Sequence, residues 1–120
     1  MNCRERYGWR VGVTRGMASR SVLIVDDDRA IVEAWDAILA DEGYTVRRAY
    51  DGLSAMIEAE IAPPDLVLSD IAMPGMDGIS LTVRLRERGI PVVLLSAAMS
   101  DPGIPGVPYL PKPFDLSHLL

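Results

Sequence analysis

The spacing of apolar positions changes character at Ser21. Upstream, glycines and arginines alternate with single apolar residues and no helical or strand period persists. From Ser21, SVLIV is continuously apolar and rich in β-branched residues, the pattern of a strand buried on both faces. AIVEAWDAILADEG follows with Ile31, Trp35, Ile38 and Leu39 at helical spacing and Gly43 as its stop, so Trp35 is assigned to the core. The cycle repeats. YTVRRAY predicts a second strand, DGLSAMIEAEI a short helix, and PPDLVLS a strand begun by prolines that cannot sit in a central ladder. ISLTVRLRER, residues 79–88, predicts a third helix before Gly89; IPVVLLS predicts a fourth strand and VPYLP a weaker fifth. Strands alternating with helices specify an α/β fold, a doubly wound five-stranded parallel sheet joined by right-handed crossovers.

Ligands of such sheets bind beyond the carboxyl ends of the strands. That rule selects the residues worth reading. The first strand ends at Asp26, Asp27 and Asp28, the third at Asp70, the fourth at Ser96, and the fifth runs into Lys112. Taken alone, Asp70 is open to three readings: helix cap, metal ligand or nucleophile. Asp28 and Asp77 precede helices and read as N-caps.

Composition narrows the classes. At 120 residues, with 49% hydrophobic and 24% charged residues, the chain is about one globular domain, and neither disorder nor a fibrous class is indicated. A single cysteine, Cys3, excludes an internal disulfide framework and a thiolate metal site. No apolar run reaches the ~20 residues of a membrane span and no signal-peptide core is present, so a cytoplasmic protein with no membrane association is expected. The net charge of −5 is unevenly divided: residues 1–20 form a basic leader with five arginines against Glu5, expected to be flexible, whereas residues 21–120 carry seven basic and sixteen acidic groups.

Carboxylates gathered at one rim repel one another unless a cation lies between them. Hard oxygen donors point to Mg²⁺, which needs one or two carboxylates together with a backbone carbonyl and a phosphate oxygen. A carboxylate oxygen of Asp70 can then attack phosphorus to give an acyl phosphate. Lys112, the only lysine beside eleven arginines, suits a compact contact to a phosphate.

The segments VLIVDDD, LVLSDIAMPGMDG, VVLLSA and YLPKPF, in this order, resemble the receiver domain of two-component response regulators over about residues 21–117. The resemblance implies a flavodoxin-like sheet of order 2-1-3-4-5, with Asp70 as phosphoacceptor. Asp26, Asp27, Asp70 and the carbonyl of Ala72 would hold Mg²⁺. Ser96 would be the hydroxyl switch, Lys112 the phosphoryl-binding lysine and Tyr109 the aromatic switch. It also implies a sensor histidine kinase or phosphotransfer protein as donor, a downstream protein partner, and no catalysis beyond Mg-assisted phosphorylation and dephosphorylation of the domain itself.

Two departures qualify the resemblance. Pro102, Gly103, Pro105, Gly106 and Pro108 lie between Ser96 and Lys112, so a regular fourth helix is not expected there. The chain closes on DLSHLL, a shortened final helix with no DNA-binding domain after it, and this points to protein contacts or a homodimer. The alternative function is a receiver-like interaction domain that works without phosphorylation. An enzyme reading, a haloacid dehalogenase-type phosphatase built on Asp26-x-Asp28, meets Ala30 where that motif has Thr or Val, and it leaves LSDIAMPGMDG unexplained.

Overall fold

A computed structural model of the chain describes residues 20–96 and 106–111, the side chains of Ser96, Leu110 and Pro111 excepted. Five parallel strands, β1 (Ser21–Val25), β2 (Thr45–Ala49), β3 (Leu66–Asp70), β4 (Val92–Ser96) and β5 (Tyr109–Pro111), form one sheet in the order β2-β1-β3-β4-β5. Helices α1 (Arg29–Asp41), α2 (Gly52–Ile61) and α3 (Gly78–Glu87) connect the first four strands. This is the expected order and strand count. The expected interruption of a fourth helix, the shortened last helix and the basic leader fall on residues 97–105, 112–120 and 1–19, outside the described residues. At the leader's boundary, the carbonyl of Arg20 already accepts a hydrogen bond from the Thr45 amide, 2.9 Å.

Period-two alternation divides the apolar strand residues between two layers. Val22, Ile24, Leu66, Leu68, Val93 and Leu95 face α1, where they pack with Val32, Trp35, Leu39 and Tyr44. Leu23, Val25, Val67, Val92 and Leu94 face α2 and α3, meeting Ala55, Ala59, Leu81 and Leu85. β1 and β3 are central strands with no exposed face, which is why their sequences run apolar without alternation. Each fully buried Leu, Ile or Val contributes about 1.5–3 kcal/mol, so these two strands anchor the sheet.

Local signals set the helix limits. α1 begins at Asp28, whose carboxylate accepts from the Ala30 amide at 3.0 Å. It ends in a Schellman turn: the Gly43 amide donates to Ala40, the Tyr44 amide donates to Leu39, and Gly43 sits at φ 97°. Asp77 caps α3 through the Ser80 amide, as expected, at 2.8 Å. Asp51 was expected inside the second helix and instead caps it through the Ser54 amide at 2.7 Å.

β2 is an edge strand and carries arginines where the central strands carry aliphatics. Arg47 donates to the carbonyls of Glu58 and Ala62 at the end of α2 and pairs with the Glu58 carboxylate, 2.9 Å. Arg48 pairs with Asp36 of α1, and that partner raises its already high pKa. The two arginines tie the edge to a helix on each face and give it a charged border that discourages pairing with another chain.

Candidate functional site

The site lies at the carboxyl ends of β1 and β3. Asp26 follows Val25, and Asp70 is the last residue of β3. Both continue the alternation that turns Ile24 and Leu68 toward α1, so both carboxylates emerge on the same side of the sheet. Asp26 is fully buried and Asp70 only 6% exposed, whereas Asp27, past the end of the strand, is exposed. One carboxylate oxygen from each of Asp26, Asp27 and Asp70 lies within 4.8 Å of the other two.

Backbone contacts fix this trio. The Asp26 amide donates to the carbonyl of Ala49 at 3.3 Å, and Asp26 Oδ1 accepts from the Asp28 amide at 2.9 Å. The Ser69 hydroxyl donates to the carbonyl of Asp70 at 2.9 Å, and the Ile71 amide donates to Leu95 at 3.2 Å. After Asp70 the chain turns back at once, with the Gly78 amide donating to the carbonyl of Ile71 at 2.7 Å.

Two glycines follow Asp70, and only Gly75 takes the left-handed conformation of a tight turn, at φ 78°. Gly78 is needed for close approach: a Cβ there would collide with the Asp70 carbonyl oxygen and come within 2.8 Å of the Ile71 Cα. The first turn of α3 therefore abuts the peptide that carries the Asp70 carboxylate. Gly52 does the same for the loop, since its Cβ would lie 2.7 Å from the Met76 carbonyl oxygen. The loop from 71 to 77 is clamped at both flanks.

Three carboxylates at this spacing repel by several kcal/mol in a partly desolvated setting, about 3.5 kcal/mol per pair at an effective dielectric of 20. The donors are hard oxygens, two of them shielded from water, so the trio fits a divalent metal ion. Asp28, the third acid of its run, acts as the helix cap and lies outside the trio. Ala72, two residues after Asp70, is exposed.

A family model, the response regulator receiver domain, matches residues 22–120. The chain belongs to this family. Response regulator MprA of Mycobacterium ulcerans is 38% identical over 109 residues, an alignment covering 82% of this chain and 46% of the relative; MprA of Mycobacterium tuberculosis is likewise 38% identical. The chain thus spans about half the length of the curated relatives it matches. Among solved structures, the chemotaxis protein CheY4 of Vibrio cholerae superposes with a TM-score of 0.74 at 30% identity, covering 83% of this chain and 92% of that one. The receiver domain of the hybrid histidine kinase CckA gives 0.70 at 36% identity, covering 82% and 91%.

Other residues singled out in the sequence stand as follows in this receiver domain. Ser96 closes β4 in register with Pro111, the last residue of β5, so the chain leaves β5 beside Ser96 and one residue before Lys112. The Ser96 side chain and Lys112 lie outside the described residues. Tyr109 is half-buried against the α2–α3 layer. Among the described residues no helix is long and apolar enough to cross a membrane.

Sequence reasoning missed two buried hydroxyls, Ser69 and Thr82, both wholly buried. Thr82 Oγ1 donates to the Gly78 carbonyl at 2.7 Å. Lone hydroxyls in apolar runs signal nothing until the groups opposite them are known. Also missed was Arg29, whose guanidinium carbon lies 4.1 Å from the centre of the Tyr50 ring. Its partner is twenty-one positions away, set beside it only by the pairing of β1 with β2.

Proposed function

We propose that this receiver domain accepts a phosphoryl group on Asp70, with Mg²⁺ held by Asp26, Asp27, Asp70 and the Ala72 carbonyl, and that the modification alters its affinity for a protein partner. The carrying observation is the carboxylate trio, two members of it buried, assembled from the ends of two neighbouring strands. Burying such a group without a function for it costs stability and offers nothing to the core.

One oxygen of the Asp70 carboxylate forms a bond to phosphorus while the bond from phosphorus to the donor's leaving atom breaks, and the leaving group takes the bonding pair. Asp26, fixed through Ala49 and Asp28, and Asp27 beside it would supply ligands to the metal together with Asp70 and the Ala72 carbonyl. Bound Mg²⁺ would neutralise the pocket and draw charge from the phosphoryl oxygens. Ser96 donates its hydroxyl to the phosphoryl group, Lys112 contributes an ammonium, and Tyr109 turns as the hydroxyl moves; these roles rest on family resemblance. So do the donor, a sensor histidine kinase or phosphotransfer protein, the cytoplasmic setting, and the absence of turnover of any separate substrate.

Intact-mass measurement after incubation with acetyl phosphate and Mg²⁺ tests the reading. A gain of one phosphoryl group that disappears in Asp70→Asn supports it. No gain in the wild type, with the fold intact by circular dichroism, returns the domain to phosphorylation-independent binding.

A further inference from the structure

Arg29 is the first residue of α1, immediately after the run Asp26–Asp28. Both Arg29 and Tyr50 are attached to groups that touch Asp26: Arg29 follows Asp28, whose amide donates to Asp26 Oδ1, and Tyr50 follows Ala49, whose carbonyl accepts from the Asp26 amide. The cation and the ring therefore belong to residues that directly follow the two backbone groups holding Asp26 in place. Arg29 is exposed and has the reach of a long side chain, and the trio of carboxylates begins three positions before it. Its guanidinium lies instead over the Tyr50 ring, 4.1 Å from the centroid. Tyr50 is half-buried and packs against the α1-side core, so the platform is fixed.

We infer that Tyr50 holds Arg29 aside by a cation–π contact, keeping the guanidinium from entering the pocket as a competing counter-ion, and that the pair sets the affinity of the trio for a divalent cation. The inference rests on the metal-binding reading above. Two effects of opposite origin follow. The parked cation still repels an incoming cation: a unit charge about 10 Å from a divalent ion in near-aqueous dielectric changes affinity by about threefold to tenfold at low salt. Release of Arg29 into the carboxylates would weaken metal binding further, because the ion would have to displace it. A cation–π contact at an exposed position contributes about 0.5–1 kcal/mol, enough to govern where a mobile side chain rests without making the position rigid.

Mg²⁺ titrations of the whole chain, followed by intrinsic tryptophan fluorescence or calorimetry at about 10 mM ionic strength, separate these effects. Arg29→Gln is expected to tighten Mg²⁺ binding about threefold to tenfold, with the gain nearly abolished at about 1 M salt, where the Debye length falls to about 3 Å. Tyr50→Leu alone is expected to weaken binding about twofold to fivefold. Tyr50→Phe retains the ring face and is expected to match the wild type. The double variant Arg29→Gln/Tyr50→Leu is expected to match Arg29→Gln. If Tyr50→Leu weakens binding equally in the Arg29→Gln background, the tyrosine acts through packing and the inference is overturned. If the wild type binds Mg²⁺ and Arg29→Gln binds it with unchanged affinity, the inference fails while the metal-binding reading stands. If the wild type takes up no Mg²⁺, both fail together.

Discussion

Replacing Asp70 by Asn keeps the shape of the side chain and removes one of three clustered charges. Asp70 faces Asp26 and Asp27, each with an oxygen within 4.8 Å. At that separation a pair of unit charges repels by about 0.9 kcal/mol in bulk water and about 3.5 kcal/mol at an effective dielectric of 20. Asp27 is exposed, so its share belongs near the aqueous limit; Asp26 is fully buried, so its share lies higher. Loss of an acceptor for neighbouring donors offsets part of the gain. The expected net effect of Asp70→Asn is a stabilisation of about 1–2 kcal/mol in chelator-containing buffer at pH 7, a rise of about 4–10 °C in Tm for a domain of this size. Adding Mg²⁺ should narrow this difference, because the wild type gains about 1.4 kcal/mol at ten times its Kd whereas the variant, lacking a ligand, gains less. Urea denaturation with and without metal reads both effects. A variant that is less stable than the wild type in chelator, or one stabilised equally by Mg²⁺, would refute the account of the pocket as a set of repelling charges.

Three further outcomes are expected. Gly78→Ala forces apart the start of α3 and the Asp70–Ile71 peptide, with an expected loss of about 1–3 kcal/mol in urea denaturation and a weakened Mg²⁺ affinity in the variant that remains folded. The Asp51 and Asp77 carboxylates are held below the usual range by the Ser54 and Ser80 amides they accept from. Their folded-state pKa values are depressed, so their contribution is complete above the unfolded value of about 3.9 and fades as pH falls through the lower folded values. Asp77→Ala should therefore lose about 1 kcal/mol at pH 7 and converge on the wild type in acid-unfolding curves at the lowest pH. Arg47→Ala removes donors to two carbonyls at the end of α2 and should lose about 1–3 kcal/mol, with the largest rise in hydrogen exchange at α2 and β2.

Much of the fold was legible because its central strands announce themselves. SVLIV was bounded to the residue, since a strand covered on both faces has no reason to alternate and the acids after Val25 end it abruptly. The strand-end rule then drew Asp26, Asp27 and Asp70 together without knowledge of the register, and the structure sets them side by side. Caps were legible at Asp28 and Asp77, where an acid stands at the edge of an apolar helical pattern. At Asp51 the following glycine blurred that edge, and the cap was read as helix. β2 was less distinct than the central strands, because an edge position admits Arg47 and Arg48, whose partners lie on two helices. The roles of Gly78 and Arg29 depend on what lies across the fold from them, and local pattern carries no such information.

The most direct measurement of the central claim is the rate of phosphoryl incorporation from acetyl phosphate as a function of Mg²⁺ concentration, with the modified residue located by tandem mass spectrometry. The account predicts a saturable dependence on Mg²⁺, a single modification on Asp70, and none in the presence of chelator. Incorporation at a rate independent of the metal, or on a residue other than Asp70, would contradict it.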